Sequence, residues 1–272
     1  MGNCLLAYPN RIDAATFSGG SWVDRTRLAS RSLADVAETI DASTGATQCI
    51  IDLGASYTVR LVALLNHNCT SAATIKWDFG STSGGTQLGT SGTVNVWRTA
   101  FDGVTRNFPS AYDSVIGYPY WAPYVLPADV SCRYIQFALT DTGHPLAKLR
   151  IGRIFVGAGL VPTWNFDIGA GIQPRDLTEV ERAQGGAIYW QKRRRMLTAK
   201  IPLSHFDATE RSKLMAIMRG AGAHDEIGFV PDISDMADAQ EYGCVARLAT
   251  PPDLPWSMPL KWSTELELEE LL

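Results

Sequence analysis

The sequence predicts a two-domain fold dominated by β-structure, with a single flanking helix in its second half. Three observations predict it. The first half breaks into short apolar runs of strand length separated by Gly-, Ser- and Thr-rich turns. The second half alternates polar and apolar residues in long runs around one segment with helical caps. The 272 residues are 46% hydrophobic and 19% charged, which is enough apolar surface for two cores and too little charge for a disordered chain.

In the first half, Gln48–Leu53 reads as a strand ending at Gly54. Val59–Leu65 (VRLVALL) is almost continuously apolar, as expected of a strand buried on both faces. Ala73–Phe79, Thr93–Arg98, Cys132–Leu139 and Leu149–Val156 complete the strands of this half, and Ser30–Ile40 is a candidate short helix in a connection. Gly157 to Pro162 has linker composition. The expected organisation is a first domain over residues 1–157, a linker over 158–163 and a second domain over 164–272.

In the second half, Ile188–Leu203 reads as one long strand. Asp207 and Glu210 have the spacing of a capping box, Leu214, Ile217 and Met218 follow at helical intervals, and Gly220 and Gly222 supply the stop, so a helix is predicted over about 207–220. Ile227–Val230, Glu241–Leu248 and Thr264–Leu268 are the remaining predicted strands. Lys192, Arg193, Arg194 and Arg195 form a basic run, and Glu265, Glu267, Glu269 and Glu270 an acidic one. Three arrangements suit them: cross-strand ion pairs, two separately solvated faces, or one run turned towards a neighbouring subunit.

Net charge is −4, so no chain-wide basic field invites sequence-specific nucleic acid, and no apolar run is long enough for membrane insertion. The N-terminus lacks the charged start and apolar stretch of a secretory signal. Five widely spaced cysteines (Cys4, Cys49, Cys69, Cys132, Cys244) with no CxxC pair read as reduced core thiols made in a cytoplasm. No phosphate-binding loop, metal-binding His motif or nucleophile elbow is present, so no catalytic residue, metal or cofactor is assigned. His67 reads as a turn residue, and Asp232, Asp235 and Asp238 as a solvated acidic loop. Residues 99–128 interleave aromatics with prolines, and Tyr118, Tyr120 and Trp121 are the candidate platform for a glycan or partner. Trp77 reads as core, while Trp22 and Trp97 fall in or near loops.

Gln48-Cys49-Ile50-Ile51-Asp52-Leu53-Gly54, then Tyr57-Thr58-Val59-Arg60-Leu61-Val62, with Arg133-Tyr134-Ile135-Gln136-Phe137 and Ile151–Gly157 following in order, resemble the galactose-binding-like jelly roll of discoidin-type domains. The resemblance covers about 150 residues and implies an antiparallel jelly-roll sandwich with ligand loops at one end. The phrase Val62–Asn68 (VALLNHN), together with the second half's order of long strand, capped helix, GFVPD, Tyr242-Gly243 and acidic last strand, is similar to distal tail and tail-tip (baseplate) proteins of bacteriophages. That second resemblance implies a C-terminal β-sandwich or split barrel of tail-tube type.

The expected function is therefore structural rather than enzymatic. The chain would be a ring subunit (hexamer or trimer) of a phage tail tip, made in the host cytoplasm. It would contact the tail tube and hub proteins and display its jelly roll. The alternatives are a carbohydrate-binding module for host surface glycans and a glycan-processing enzyme.

Overall fold

The computed structural model describes residues 2–98, 121–183, 185, 186, 188–191, 193, 195–258 and 261–271. It is all-β-dominated, with a jelly-roll sandwich in the first half and a second sheet carrying one main helix. The first strand, β1 (Leu5–Ala7), joins the sheet of the second half, unlike the expectation that residues 1–157 form one unit.

The jelly roll follows: β2 (Thr16–Ser18), β3 (Trp22–Val23), β4 (Ala37–Thr39), β5 (Gln48–His67), β6 (Thr74–Gly80), β7 (Gly89–Asn95), β8 (Trp121–Thr140) and β9 (Arg150–Gly157). The strand order is β3-β4-β9-β5-β8-β6-β7, with β2 also on β5. Strands β5 and β8 run 20 residues each and serve both layers of the sandwich. Gln48–Asp52 of β5 pairs with the C-terminal half of β8, while Leu61–Leu65 lies between β9 and the N-terminal half of β8. Gly54, read as a strand end, is instead the corner, at φ 79°, and the ladder slips between Asp52 and Tyr57. Ser30–Ile40, expected to be helical, is not: it follows a 3-10 helix (Arg25–Ala29) as turns and then extends as β4. Trp22, Trp77 and Trp97 are all buried in the sandwich core. Trp97 lies in the bend after β7 and Trp22 in the two-residue β3, near loops as read, yet both rings turn inward. His67, read as a turn residue, is the buried last residue of β5.

The second half continues with β10 (Gly159–Leu160), β11 (Gly171–Asp176), β12 (Glu179–Arg182), β13 (Ile188–Gln191), β14 (Arg195–Phe206), α1 (Ala208–Ala221), β15 (Ile227–Val230), α2 (Met236–Tyr242), β16 (Cys244–Leu248), β17 (Trp256–Met258) and β18 (Lys261–Glu270). Its sheet runs β10-β1-β15-β16-β18-β14-β11, with β17 on β18. The expected linker contributes β10. The expected strand Ile188–Leu203 is two elements: among the described residues β13 pairs with β12 alone, in a separate two-stranded sheet, and β14 lies between β11 and β18. The capping box forms as the spacing predicts: Asp207 accepts from the Glu210 amide at 2.8 Å, and Glu210 accepts from the Asp207 amide at 3.0 Å. The expected strand Glu241–Leu248 splits because Asp235 caps α2 through the amides of Ala237 and Asp238. Asp232 likewise accepts from the Gly2 amide, so these aspartates hold local structure rather than form a free acidic loop.

Side-chain alternation stacks three apolar layers. In β5, Val62 and Leu64 enter the jelly-roll core, while Leu61, Ala63 and Leu65 face Leu5, Ala7, Val230 and Val245 of the second sheet. Leu6, Phe229 and Ala246 point the other way, towards Leu214 and Ile217 of α1. The layers meet closely at Gly228, where a Cβ would lie 2.6 Å from Leu61 and 3.0 Å from Phe155, so a side chain there would force these neighbours to shift.

A buried ionic network closes the same seam. Arg153 is 1% exposed and pairs with Glu226 at 2.8 Å, with Asp13 and with the Ala29 carbonyl. Asn10 donates to Glu226 at 2.7 Å, and Arg31 bridges Asp13 and Asp225, each at 2.9 Å. Each guanidinium nitrogen has an acceptor, two of them carboxylates, which is the condition for burying the cation.

Candidate functional site

The segment after β10 is pinned at several points to the chain around β1, α1 and β14. Asn3 donates to the Pro162 carbonyl at 2.7 Å, and the Thr163 amide donates to Glu210 at 2.6 Å. Asn165 accepts from the Cys4 amide at 3.0 Å. The Asp167 amide donates to the Pro202 carbonyl at 2.8 Å, and its carboxylate accepts from the Ser204 hydroxyl at 2.9 Å. Between these anchors the Trp164 side chain remains 61% exposed. A fixed backbone carrying an exposed ring is a preformed apolar platform.

The opposite wall comes from a bulge. The β14–β18 ladder slips between Leu203 and Phe206, and His205 sits there at φ 65°, a left-handed conformation that a non-glycine residue adopts at a cost. The bulge swings the imidazole to 6.2 Å from the Trp164 ring in an edge-on contact at 64°. Trp164, Asn165, Phe166, Asp167, Ile168, His205 and Lys261 line an open cleft of about 660 Å³. The cleft thus offers one flat apolar face with a carboxylate, an ammonium group and an imidazole at its rim. That combination suits a ligand with an apolar face and polar edges.

The residues singled out from sequence lie elsewhere. Tyr118 and Tyr120 lie outside the described residues, as do Lys192 and Arg194. Trp121 is 3% exposed, and its indole N–H donates to the Gln240 carbonyl at 3.0 Å. It packs in the seam, so it has no face to offer a ligand. Among the described residues, Arg193 and Arg195 of the basic run form their ion pairs outside the acidic run. Strands β14 and β18 are neighbours, but the ion pairs are Lys200–Glu265 at 2.8 Å, Arg175–Glu269 at 3.3 Å and Arg247–Glu269 at 3.1 Å. Glu267 stands across from Lys200 in the ladder. Arg193 pairs instead with Glu179 at 2.8 Å, and Arg195 approaches Asp176 at 3.7 Å, because the hairpin places them beside their own antecedent strand. Trp164 was not singled out, since a lone Trp in an aperiodic connection carries no pattern; its setting emerges only once Asn3, Glu210 and the His205 bulge converge on it.

Among the described residues no cluster of His, Cys, Asp and Glu could hold a metal ion, and no helix is long and apolar enough to cross a membrane. All five cysteines are buried free thiols. Burial pushes the Cys4 and Cys49 thiols up to about 12.

No protein-family model matches the chain, and no curated protein matches it. Solved structures similar to it include a Streptococcus pneumoniae fucose-binding module (15% identity, 55% of this chain and 94% of that one, TM-score 0.36). Another is CBM32-1 from a family 31 glycoside hydrolase of Clostridium perfringens (14% identity, 56% and 99%, TM-score 0.35). A third is an F-lectin from striped bass, Morone saxatilis, serum (11% identity, 97% and 99%, TM-score 0.37).

Proposed function

We propose that the chain is a non-catalytic carbohydrate-binding protein whose Trp164 cleft receives a pyranose. One observation carries this reading: an exposed indole held between backbone anchors at Thr163 and Asp167, with Asp167, His205 and Lys261 lining the same cleft. A pyranose has a C–H face that stacks on such a ring and equatorial hydroxyls that reach rim groups of this kind. A glycan array probed with the intact chain and with Trp164→Ala tests it. Binding to a defined glycan set that vanishes in the variant is the expected result; an array without signal, or signal unchanged by the substitution, contradicts it.

A second reading is a structural subunit of a phage tail tip, assembling as a ring. The β12–β13 hairpin favours it, because a paired arm standing off the main sheet is the kind of element that engages another chain. Electron microscopy of the purified protein tests it: closed rings support this reading, and isolated particles at high concentration oppose it.

A further inference from the structure

The β12–β13 hairpin is anomalous as a free element. All eight of its strand residues are exposed, including Tyr189 at 64% and Trp190 at 68%. Two four-residue strands are marginal in water without a third strand or a packing surface. The register puts Val180 opposite Trp190 and Arg182 opposite Ile188, so Val180, Ile188 and Trp190 share one face.

Sheet edges decide what can join it. Natural edges are blunted by shortness, charge, proline or distortion. Among the described residues, β2, β3, β10 and β17 have three residues or fewer. The outer edge of β11 contains Pro174 followed by Arg175 and Asp176. That of β7 is broken by glycines at φ 156° and 64°. Strand β12 carries Glu179, Glu181 and Arg182. Of the described edge strands longer than three residues, only β13, Ile-Tyr-Trp-Gln, has no charge, glycine or proline.

We propose that β13 pairs antiparallel with β13 of a second copy, making a four-stranded sheet and a twofold dimer. Centring the axis on Tyr189 sets each Tyr189 against the partner's Tyr189 and each Ile188 against the partner's Trp190. This register aligns Val180, Trp190 and the partner's Ile188 into one apolar row across three strands. The same-to-same contact closes at two copies. Four residues a side fall below the roughly 1,200 Å² at which stable interfaces begin, so the dimer forms with rising concentration. The inference does not depend on sugar recognition, and either can fail alone.

Sedimentation velocity of the full chain across a concentration series tests it. A monomer–dimer equilibrium is expected, with Trp190→Lys weakening dimerisation at least tenfold while leaving the circular dichroism and melting temperature of the monomer unchanged. As a positive test, Tyr189→Cys should give an oxidant-dependent, reducible covalent dimer, because opposed Cα atoms in such a ladder lie about 4.5–5.5 Å apart, within disulfide reach. A monomer at every concentration, a dimer indifferent to Trp190→Lys, a closed assembly of more than two copies, or the absence of cross-linking would each overturn the proposal.

Discussion

Trp121 and Gln240 hold each other twice. The Trp121 indole N–H donates to the Gln240 carbonyl at 3.0 Å, and the Gln240 side-chain amide donates to the Trp121 carbonyl, also at 3.0 Å. The same amide reaches the Val96 carbonyl at 3.0 Å, and its oxygen accepts from the Arg98 amide at 2.7 Å. One buried side chain on α2 thus fastens the chain segments on either side of residues 99–120 to the second half of the chain.

Gln240→Ala should therefore destabilise well beyond its lost volume. It strips partners from an N–H and two carbonyls, and an unsatisfied buried group costs roughly 1–3 kcal/mol. A loss of at least about 2 kcal/mol in urea unfolding is expected, and a loss below about 0.5 kcal/mol would mean those groups find other partners.

Breaking the seam's ionic network from one side should cost more than removing it. Arg153→Leu leaves Glu226 buried without its cation, a loss of about 3–5 kcal/mol. The double variant Arg153→Leu/Glu226→Leu should recover a large part of it. Thermal unfolding of the three proteins at one pH reads the difference, and equal losses in the single and double variants would contradict this account.

Acid should act first through His67. Burial depresses its pKa from 6.5 to about 3, so between those values only the unfolded chain takes up the proton. Stability is full above about 6.5 and falls as pH drops towards 3. His67→Gln should flatten the melting temperature between pH 7 and 4 relative to the parent, and identical pH slopes would refute the assignment.

At lower pH a second group takes over. The Arg133 guanidinium, bound to Asp52 at 2.8 and 2.9 Å, holds that carboxyl at about 2, against an opposing effect of partial burial. Its contribution is present above the unfolded carboxyl's 3.8 and is lost as pH falls towards 2. Arg133→Gln should remove the part of the acid transition that lies between pH 4 and 2. An unchanged profile there would assign the transition to other carboxylates.

What could be read from the sequence was whatever rests on local pattern. Asp207 and Glu210 predict their helix because a cap is a contact between residues three apart. The almost continuously apolar run Val59–Leu65 predicts burial on both faces, and it has both the sandwich core and the seam against it. What failed depends on distant partners. β1 is three apolar residues whose place is set by β15, more than two hundred positions away. Trp121 looked like a surface aromatic among prolines until Gln240 closed over it. The run Ile188–Leu203 has no internal break to show that it leaves one sheet after Gln191 and enters another at Arg195. The Trp164 platform is likewise assembled from both ends of the chain, with Asn3, Glu210 and His205 meeting around a residue that no periodicity marks.

Calorimetric titration of the intact chain with the best glycan from the array, alongside Trp164→Ala and Tyr120→Ala, bears most directly on the proposed site. The account predicts one saturable site per chain that disappears in Trp164→Ala and persists in Tyr120→Ala. Full binding in Trp164→Ala, or loss only in Tyr120→Ala, would contradict it.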